Sequence, residues 1–238
     1  RGRSILVIKV IASGSDGNCY LINDRNTKIL IECGIAFDDI LRGANYDISD
    51  IAACFISHSH LDHSKSAYKL LESGIDIMCH EETASELRLT GFGIRHIKER
   101  KKVSVGTFDI IPFDLVHIHS DGSNCKCLGF LIYSNITKEK LLFATDTAYI
   151  KNRFKGLNYI MIEVNYSDNE FEDEYVASVE KRRFRSHMSL DTAIEFLNNQ
   201  DLSSVKEIYA LHLSEERAER DKVKRELQRA TGKEIIIC

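Results

Sequence analysis

Three histidines and an aspartate stand close together in the stretch Ser57-His-Ser-His-Leu-Asp-His63. The chain has 9 histidines in 238 residues, so a third of them lie in this one stretch. Imidazoles and a carboxylate crowded together repel one another when charged, and their burial costs desolvation energy. A divalent cation removes both costs, because its ligands are neutral imidazole nitrogens and carboxylate oxygens. The stretch therefore predicts a metal site, with a solvated polar loop as the alternative.

Composition narrows the classes of protein to which the chain could belong. The apolar fraction of 43% and the charged fraction of 29% are ordinary for a globular protein, and no apolar run is long enough to span a bilayer. Seven scattered cysteines predict reduced thiols in a cytoplasmic protein. The net charge of −4 leaves only two short basic clusters, Lys98–Lys102 and Lys181–Arg185. This balance makes extended nucleic acid a less favoured partner.

Short apolar runs separated by turn residues predict a strand-rich chain. We predict strands at Leu6–Ile11, Cys19–Ile22, Lys28–Glu32, Ile51–Ile56, Ile75–Cys79, Phe108–His119, Leu128–Tyr133, Lys140–Ala144, Asn158–Val164, Val205–Leu211 and Glu234–Cys238. We predict helices at Lys65–Glu72 with Ser64 as N-cap, Glu81–Leu89, Leu190–Asn198 with Ser189 as N-cap, and Ser214–Ala230. Two strand-rich halves that end in helices predict two sheets packed face to face with helices outside. Since no linker is visible, we expect one domain over residues 1–238.

Metal-ligand residue types stand at the ends of four predicted strands. They are His58, His60, Asp62 and His63 after the fourth strand, then His117 and His119, then Asp146, and finally His212. Strand ends on a rigid scaffold can hold a site with little movement. A single histidine at a strand end is weak evidence, but four such ends together predict one site.

At this point the chain resembles the metallo-β-lactamase superfamily. The histidine stretch resembles its H-x-H-x-D-H signature, and Asp146 and His212 match its later ligands in order and approximate spacing. The supporting segments are "GSDGNCYLI" (Gly14–Ile22), "ILIECG" (Ile29–Gly34), "PFDLVH" (Pro112–His117), "ATDT" (Ala144–Thr147) and "LHLS" (Leu211–Ser214). The resemblance covers nearly the whole chain. It implies an α/β fold, an αββα sandwich of two mixed sheets with outer helices, and a site at one edge of the sheets.

The resemblance also implies two divalent transition-metal ions, Zn²⁺ or, as an alternative, Mn²⁺. One ion would take His58, His60, His117 and a shared Asp146, and the other would take Asp62, His63, His212 and the same Asp146. The family often has an aspartate directly after the third ligand, whereas Ile118 follows His117 here, so His119 competes for that role. The spacing from Pro112 favours His117.

The segment "SHMS" (Ser186–Ser189) favours phosphodiester chemistry within the superfamily. It resembles a His-x-Ser motif of the RNase Z-like, PhnP-like and YycJ-like groups, in which the histidine contacts the scissile phosphate. The resemblance implies Asp62 and His187 as catalytic residues, and a surface position at a helix N-terminus is the alternative for His187. The predicted substrate contacts are His187, Ser189, Arg185 and Asn18. A solvated turn is the alternative for Arg185, and a structural turn is the alternative for Asn18. Glu163 and Asn165 follow a buried strand, where they could orient ligands.

From these residues we predict a dinuclear-metal phosphodiesterase that opens cyclic nucleotides. The pattern is similar to phage-encoded enzymes that defeat the Pycsar defence system, which implies a homodimer in the host cytoplasm. A DNA or RNA nuclease of the YycJ or RNase Z kind is the alternative. A catalytically inactive nucleotide- or metal-binding protein is a third hypothesis, which the intact ligand set disfavours.

Overall fold

The computed structural model describes residues 5–119, 121–167, 186–214 and 218–238. The strands in these ranges are β1 (Val7–Ala12), β2 (Cys19–Asn23), β3 (Lys28–Ile31), β4 (Ile51–Phe55), β5 (Asp76–Cys79), β6 (Ile94–His96), β7 (Val103–Val105), β8 (Phe108–Ile118), β9 (Asn124–Ser134), β10 (Lys140–Ala144), β11 (Tyr159–Glu163), β12 (Glu207–Leu211) and β13 (Glu234–Ile237). The helices are α1 (Phe37–Gly43), α2 (Leu61–Ser64), α3 (Ala67–Glu72), α4 (Glu81–Glu86), α5 (Leu190–Asn198) and α6 (Arg220–Thr231). No helix in the described ranges is long and apolar enough to cross a membrane.

The strands form two mixed sheets. The first has the order β1-β2-β3-β4-β5-β6, in which β1 to β3 are antiparallel neighbours and β3 to β6 are parallel. The second has the order β13-β12-β11-β10-β9-β8-β7, and its strands β10 to β13 run parallel. An α/β fold with two mixed sheets is therefore confirmed.

Packing divides the chain into two compact units. Unit 1 comprises Arg1–Asp114 and Leu128–Lys140, and unit 2 comprises Leu115–Cys127 and Leu141–Cys238. The core of unit 1 contains apolar side chains from β2 to β5 and the neighbouring helices, among them Leu30, Ile40, Cys54, Leu70 and Ile77. In unit 2 every residue of β11 is buried, as expected for a central parallel strand. The single-domain organisation stays a prediction.

The cysteines are core residues. All seven are free, and six are buried. Burial raises the pKa of the Cys19 and Cys54 thiols, so both remain protonated and chemically inert at neutral pH. The six buried cysteines therefore serve as small apolar core residues.

Two of the predicted helix starts are wrong. Ser64 ends α2 and donates its hydroxyl to the carbonyl of His60 at 2.8 Å, so the next helix begins at Ala67 with Ser66 as N-cap. In the described part of the predicted helix Ser214–Ala230, the helix begins at Arg220, and residues 215–217 lie outside the described residues. In both cases a polar run contained several residues that can end or start a helix, and only tertiary contacts select one.

Alternation along β8 is interrupted at one position. Strict alternation would place Ile111 on the same face as Phe113, Leu115 and His117, yet Ile111 is 38% exposed. Pro112 and Phe113 are both buried, which shifts the alternation by one residue within the strand. Proline at this point donates no hydrogen bond to a neighbouring strand, so the regular pattern is interrupted there.

Candidate metal centre

The histidine stretch after β4 forms a compact cluster in unit 1, which we call the motif cluster (His58, His60, Asp62 and His63). His58 and His63 are fully buried, and the ring centroid of His58 lies 4.5 Å from that of His60 and 4.3 Å from that of His63. His63 Nε2 lies 3.1 Å from Asp62 Oδ2. Ligand atoms about 2.0–2.2 Å from one zinc ion lie roughly 3–3.6 Å from one another. Asp62 and His63 are therefore spaced as two ligands of one cation.

The backbone of the preceding strands holds this cluster in place. Asn18 N donates to the carbonyl of Asp62, and Cys33 N donates to the carbonyl of His63, both at 2.8 Å. A Cβ atom at Gly34 would lie 1.7 Å from the carbonyl oxygen of Asp62. Only glycine allows this close approach, which gives the "ECG" segment its physical role.

Buried polar groups surround His63. Asn18 Nδ2 lies 3.4 Å from His63 Nε2, and Glu32 Oε1 lies 3.7 Å from His63 Nδ1. Burial raises the pKa of the Glu32 carboxyl, and the effect is opposed by His63 and by hydrogen bonds from Ser57. Glu32 was not among the predicted site residues. The signal that could have found it is the one used for Asp146, a carboxylate directly after an apolar strand.

The two carboxylate oxygens of Asp146, in unit 2, face different histidines. His117 Nε2 lies 3.8 Å from Asp146 Oδ2, and His212 Nε2 lies 3.7 Å from Asp146 Oδ1. Thr145 Oγ1 donates to Oδ1 at 2.9 Å. Asp146 therefore presents one carboxylate oxygen to each of two histidines.

Asp146 and His212 both have left-handed backbone conformations. Their φ angles are 52° and 53°. Such conformations cost a non-glycine residue about 1–3 kcal/mol and cluster at functional sites, where the surrounding fold maintains them. The side chains of these two residues approach within 3.7 Å, so two strained backbone positions lie together in the candidate site.

A buried carboxylate, Glu163, joins two histidines of unit 2. Its Oε1 lies 2.5 Å from His187 Nδ1 and 3.3 Å from His212 Nδ1. Its Oε2 accepts hydrogen bonds from the backbone N–H of Thr147 at 3.0 Å and of Met188 at 3.4 Å. Metal-binding histidines commonly place the second ring nitrogen against a carboxylate. His212 follows this pattern, with Nδ1 toward Glu163 and Nε2 toward Asp146.

Glu163 and His187 form an ion pair. Burial alone would raise the pKa of Glu163, but the charge and hydrogen bond of His187 outweigh it and hold that pKa below its ordinary value. Burial alone would lower the pKa of His187, but Glu163 raises it above its ordinary value. The pair therefore favours a carboxylate beside an imidazolium. The ring of His187 also stacks on that of His212, with centroids 5.5 Å apart and planes 9° apart.

The donor atoms of this region fit a divalent transition metal. Asp146, Glu163, His187 and His212 each offer a ligand atom, and these atoms all lie within 4.8 Å of one another. Imidazole nitrogen with carboxylate oxygen suits zinc and related ions. We call these four residues together with His117 the Asp146 cluster.

The remaining predicted residues have different surroundings. Ser189 caps α5, because its Oγ accepts from Thr192 N at 3.1 Å. Asn165 Nδ2 lies 3.2 Å from His212 Nδ1 and donates to the His212 carbonyl at 3.0 Å, so it orients that ring. His119 is less buried than His117. Arg185 lies outside the described residues.

Comparison with known proteins identifies relatives that align over most of the chain. A family model described as "Beta-lactamase superfamily domain" matches residues 27–212. The chain is 26% identical to "Exodeoxyribonuclease YycJ" of Bacillus anthracis over 88% of this chain and 83% of that protein. It is also 26% identical to "Exodeoxyribonuclease WalJ" of Streptococcus pneumoniae, over 87% of this chain and 81% of that protein. The crystal structure of the metallo-β-lactamase fold protein YhfI of Bacillus subtilis superposes with a TM-score of 0.74 and 16% identity, covering 97% of this chain and 95% of that one.

Proposed function

The chain belongs to the β-lactamase superfamily, and on that premise we propose that it is a metal-dependent phosphodiesterase that cleaves DNA. The observation that carries the metal chemistry is Asp146, whose two carboxylate oxygens face His117 and His212 separately. The choice of substrate is supported by two relatives named exodeoxyribonucleases, which align over most of both chains.

We propose seven metal ligands, drawn from both clusters. They are His58, His60, Asp62, His63, His117, Asp146 and His212. The order of these residues in the sequence supports the assignment, and so does the spacing of donor atoms inside each cluster. When bound, two divalent ions activate water for attack on phosphorus and neutralise charge that develops on the phosphoryl oxygens.

His187 supplies the proton for the leaving oxygen in this mechanism. Glu163 holds the Nδ1 side of the ring at 2.5 Å, which leaves Nε2 as the nitrogen that can transfer a proton. The raised pKa of His187 favours the protonated form that a general acid needs. Glu163 does not touch the substrate in this scheme and acts as a positioning residue.

Other features remain predictions. Substrate contacts by Asn18, Ser189 and Arg185 are among them, as are a homodimer, a cytoplasmic location, a phage anti-defence role and the choice between Zn²⁺ and Mn²⁺. Cyclic-nucleotide hydrolysis is the second candidate function. It is favoured by the net charge of −4, since proteins that bind a long polyanion usually carry a basic balance.

A substrate panel tests the proposal. Metal-loaded protein is incubated with single-stranded and double-stranded DNA, RNA, cyclic mononucleotides and cyclic dinucleotides. We expect DNA to be degraded, with activity that is lost in Asp146→Asn and therefore not due to a contaminating nuclease. Elemental analysis should find about two metal ions per chain. Consumption of cyclic nucleotides with DNA left intact would establish the second candidate instead.

A further inference from the structure

A cavity of about 280 Å³ lies in unit 2, lined by the segment that follows β10 and by one face of α5. Tyr149, Lys151, Arg153 and Thr192 are among its lining residues, and none of them is a proposed metal ligand. Sites for drug-sized molecules occupy about 300–1,000 Å³. This cavity is therefore suited to a single nucleotide rather than to a dinucleotide.

Specific hydrogen bonds fix the walls of the cavity. Phe154 N donates to Gln200 Oε1 at 2.9 Å, and Arg153 Nη2 donates to Asn199 Oδ1 at 3.3 Å. Both acceptors lie just after the last turn of α5. The segment is thus attached to the helix at defined points, which gives the cavity a fixed shape.

The cavity combines an aromatic ring with two cationic side chains. Lys151 Nζ lies 5.5 Å from the ring centroid of Tyr149, which is 41% exposed. Among the described residues neither Lys151 nor Arg153 forms an ion pair with a carboxylate, although Glu195 also lines the cavity. Aromatic rings that stack on bases, next to cations that pair with phosphates, are the means by which proteins bind single strands.

Both walls of the cavity connect directly to the Asp146 cluster. Thr147 donates its backbone N–H to Glu163 Oε2 and its hydroxyl to the carbonyl of Tyr149, both at 3.0 Å. Tyr149 follows Asp146 by three residues, a length of chain that spans at most about 11 Å. On the other wall, Thr192 bonds to Ser189, two residues after His187. The cavity is therefore linked to the Asp146 cluster through short chain segments and hydrogen bonds on both walls.

We propose that this cavity binds the nucleotide next to the scissile phosphate in single-stranded DNA. The base stacks on Tyr149, and the neighbouring phosphate pairs with Lys151 and Arg153. This inference rests on the proposed function. It extends that function by naming single-stranded DNA as the substrate. It also assigns the residues that distinguish a DNA strand from a small phosphodiester.

Binding and cleavage are measured separately, so that each can fail alone. Binding uses a phosphorothioate-linked oligothymidylate, which resists cleavage, and metal-loaded protein in fluorescence anisotropy. We expect Tyr149→Ala to weaken binding roughly 5- to 150-fold, the range for loss of one base–aromatic stack, whereas Tyr149→Phe should bind like the wild type. In Lys151→Ala/Arg153→Ala, the dependence of log affinity on log salt should be less steep by about 1.4, since each contact to a single strand contributes about 0.7.

The matched control removes two positive charges elsewhere in unit 2. Lys224→Ala/Arg229→Ala on the exposed side of α6 should leave both the affinity and the salt dependence as in the wild type. Cleavage is compared by dividing kcat/KM for oligothymidylate by kcat/KM for bis-p-nitrophenyl phosphate. This ratio should fall about tenfold or more in the cavity variants, as expected from the loss of one base–aromatic stacking interaction.

Each outcome decides one of the two proposals. Two results would overturn the cavity assignment. One is that the wild-type protein does not bind the oligothymidylate. The other is that the cavity variants bind it as well as the control variant does. Binding that depends on the cavity, without any DNA cleavage, would refute the proposed DNA-cleaving activity and leave the cavity as a binding site for one nucleotide of a single strand. A selective loss of cyclic-nucleotide hydrolysis in these variants would show that the cavity serves that substrate instead.

Discussion

Nδ1 of His187 lies 2.5 Å from Oε1 of Glu163, a buried carboxylate that also approaches His212. This contact gives His187 a fixed orientation and raises the pKa of its imidazole. It also ties the proposed proton donor to a proposed metal ligand through a single carboxylate. A change at Glu163 should therefore alter both the protonation of His187 and the retention of metal.

Replacing Glu163 with glutamine should shift the falling limb of the pH–rate profile to lower pH. His187 acts in its protonated form, so the rate falls as pH rises through its pKa. Glu163 raises that pKa, and Glu163→Gln should therefore shift the falling limb to lower pH. Because His212 loses a carboxylate partner as well, metal affinity should fall about 10- to 100-fold. The profile is measured at saturating metal, with Glu234→Gln on the exposed side of β13 as control. An unchanged falling limb would remove Glu163 from the mechanism.

Removal of His187 should separate substrates by their leaving groups. His187→Ala should lose about 10²–10⁴ in rate on DNA, the usual contribution of a positioned acid. The loss should be smaller on bis-p-nitrophenyl phosphate, whose leaving group departs without a proton. Elemental analysis checks that the variant keeps its metal. Near-wild-type cleavage of DNA by the metal-replete variant would show that His187 is not the acid.

His117 and His119 should differ in their effect on metal binding. His117 is 4% exposed and its Nε2 faces Asp146, whereas His119 is more exposed and lies beyond the end of β8. We expect His117→Ala to lower the metal content by about one ion per chain and His119→Ala to retain it. Equilibrium dialysis followed by elemental analysis measures both. The reverse result would assign the ligand to His119.

Gly34→Ala should destabilise the protein and weaken metal binding together. The new methyl group would meet the backbone carbonyl of Asp62, which cannot move without displacing the motif cluster. Overpacking of this kind costs about 3 kcal/mol or more, which lowers Tm by roughly 6–12 °C in a chain of this length.

Gly74→Ala is the matched control, since its Cβ meets nothing within 4 Å and only its positive φ of 82° is strained. It should cost about 1 kcal/mol and leave metal content intact. Thermal denaturation measures both variants. Equal decreases in Tm would contradict the close approach of Gly34 to the Asp62 carbonyl.

Much of the site could be predicted from the sequence because its signals are local. The motif cluster lies within six residues, and Asp146 and His212 directly follow apolar strands, so residue type and position were sufficient to single them out. The same signals led to the superfamily and to a fold of two mixed sheets, and both predictions are confirmed. The N-cap of α5 at Ser189 is confirmed for the same reason, since a cap is a contact between near neighbours in the chain.

Only the tertiary structure decided how the proposed ligands are paired and supported. Parallel register aligns Glu163 of β11 with Leu211 of β12, so His212 follows on the next strand at the same edge of the sheet. A shift of one residue in the pairing of β11 with β12 would turn these side chains to the opposite face of the sheet. The sequence of either strand alone does not indicate which register forms. The contacts of Glu163 with His187, of Glu32 with His63, and of Asp146 with two histidines all depend on such alignment. Composition and spacing describe one segment at a time, whereas these contacts arise when distant segments pack together.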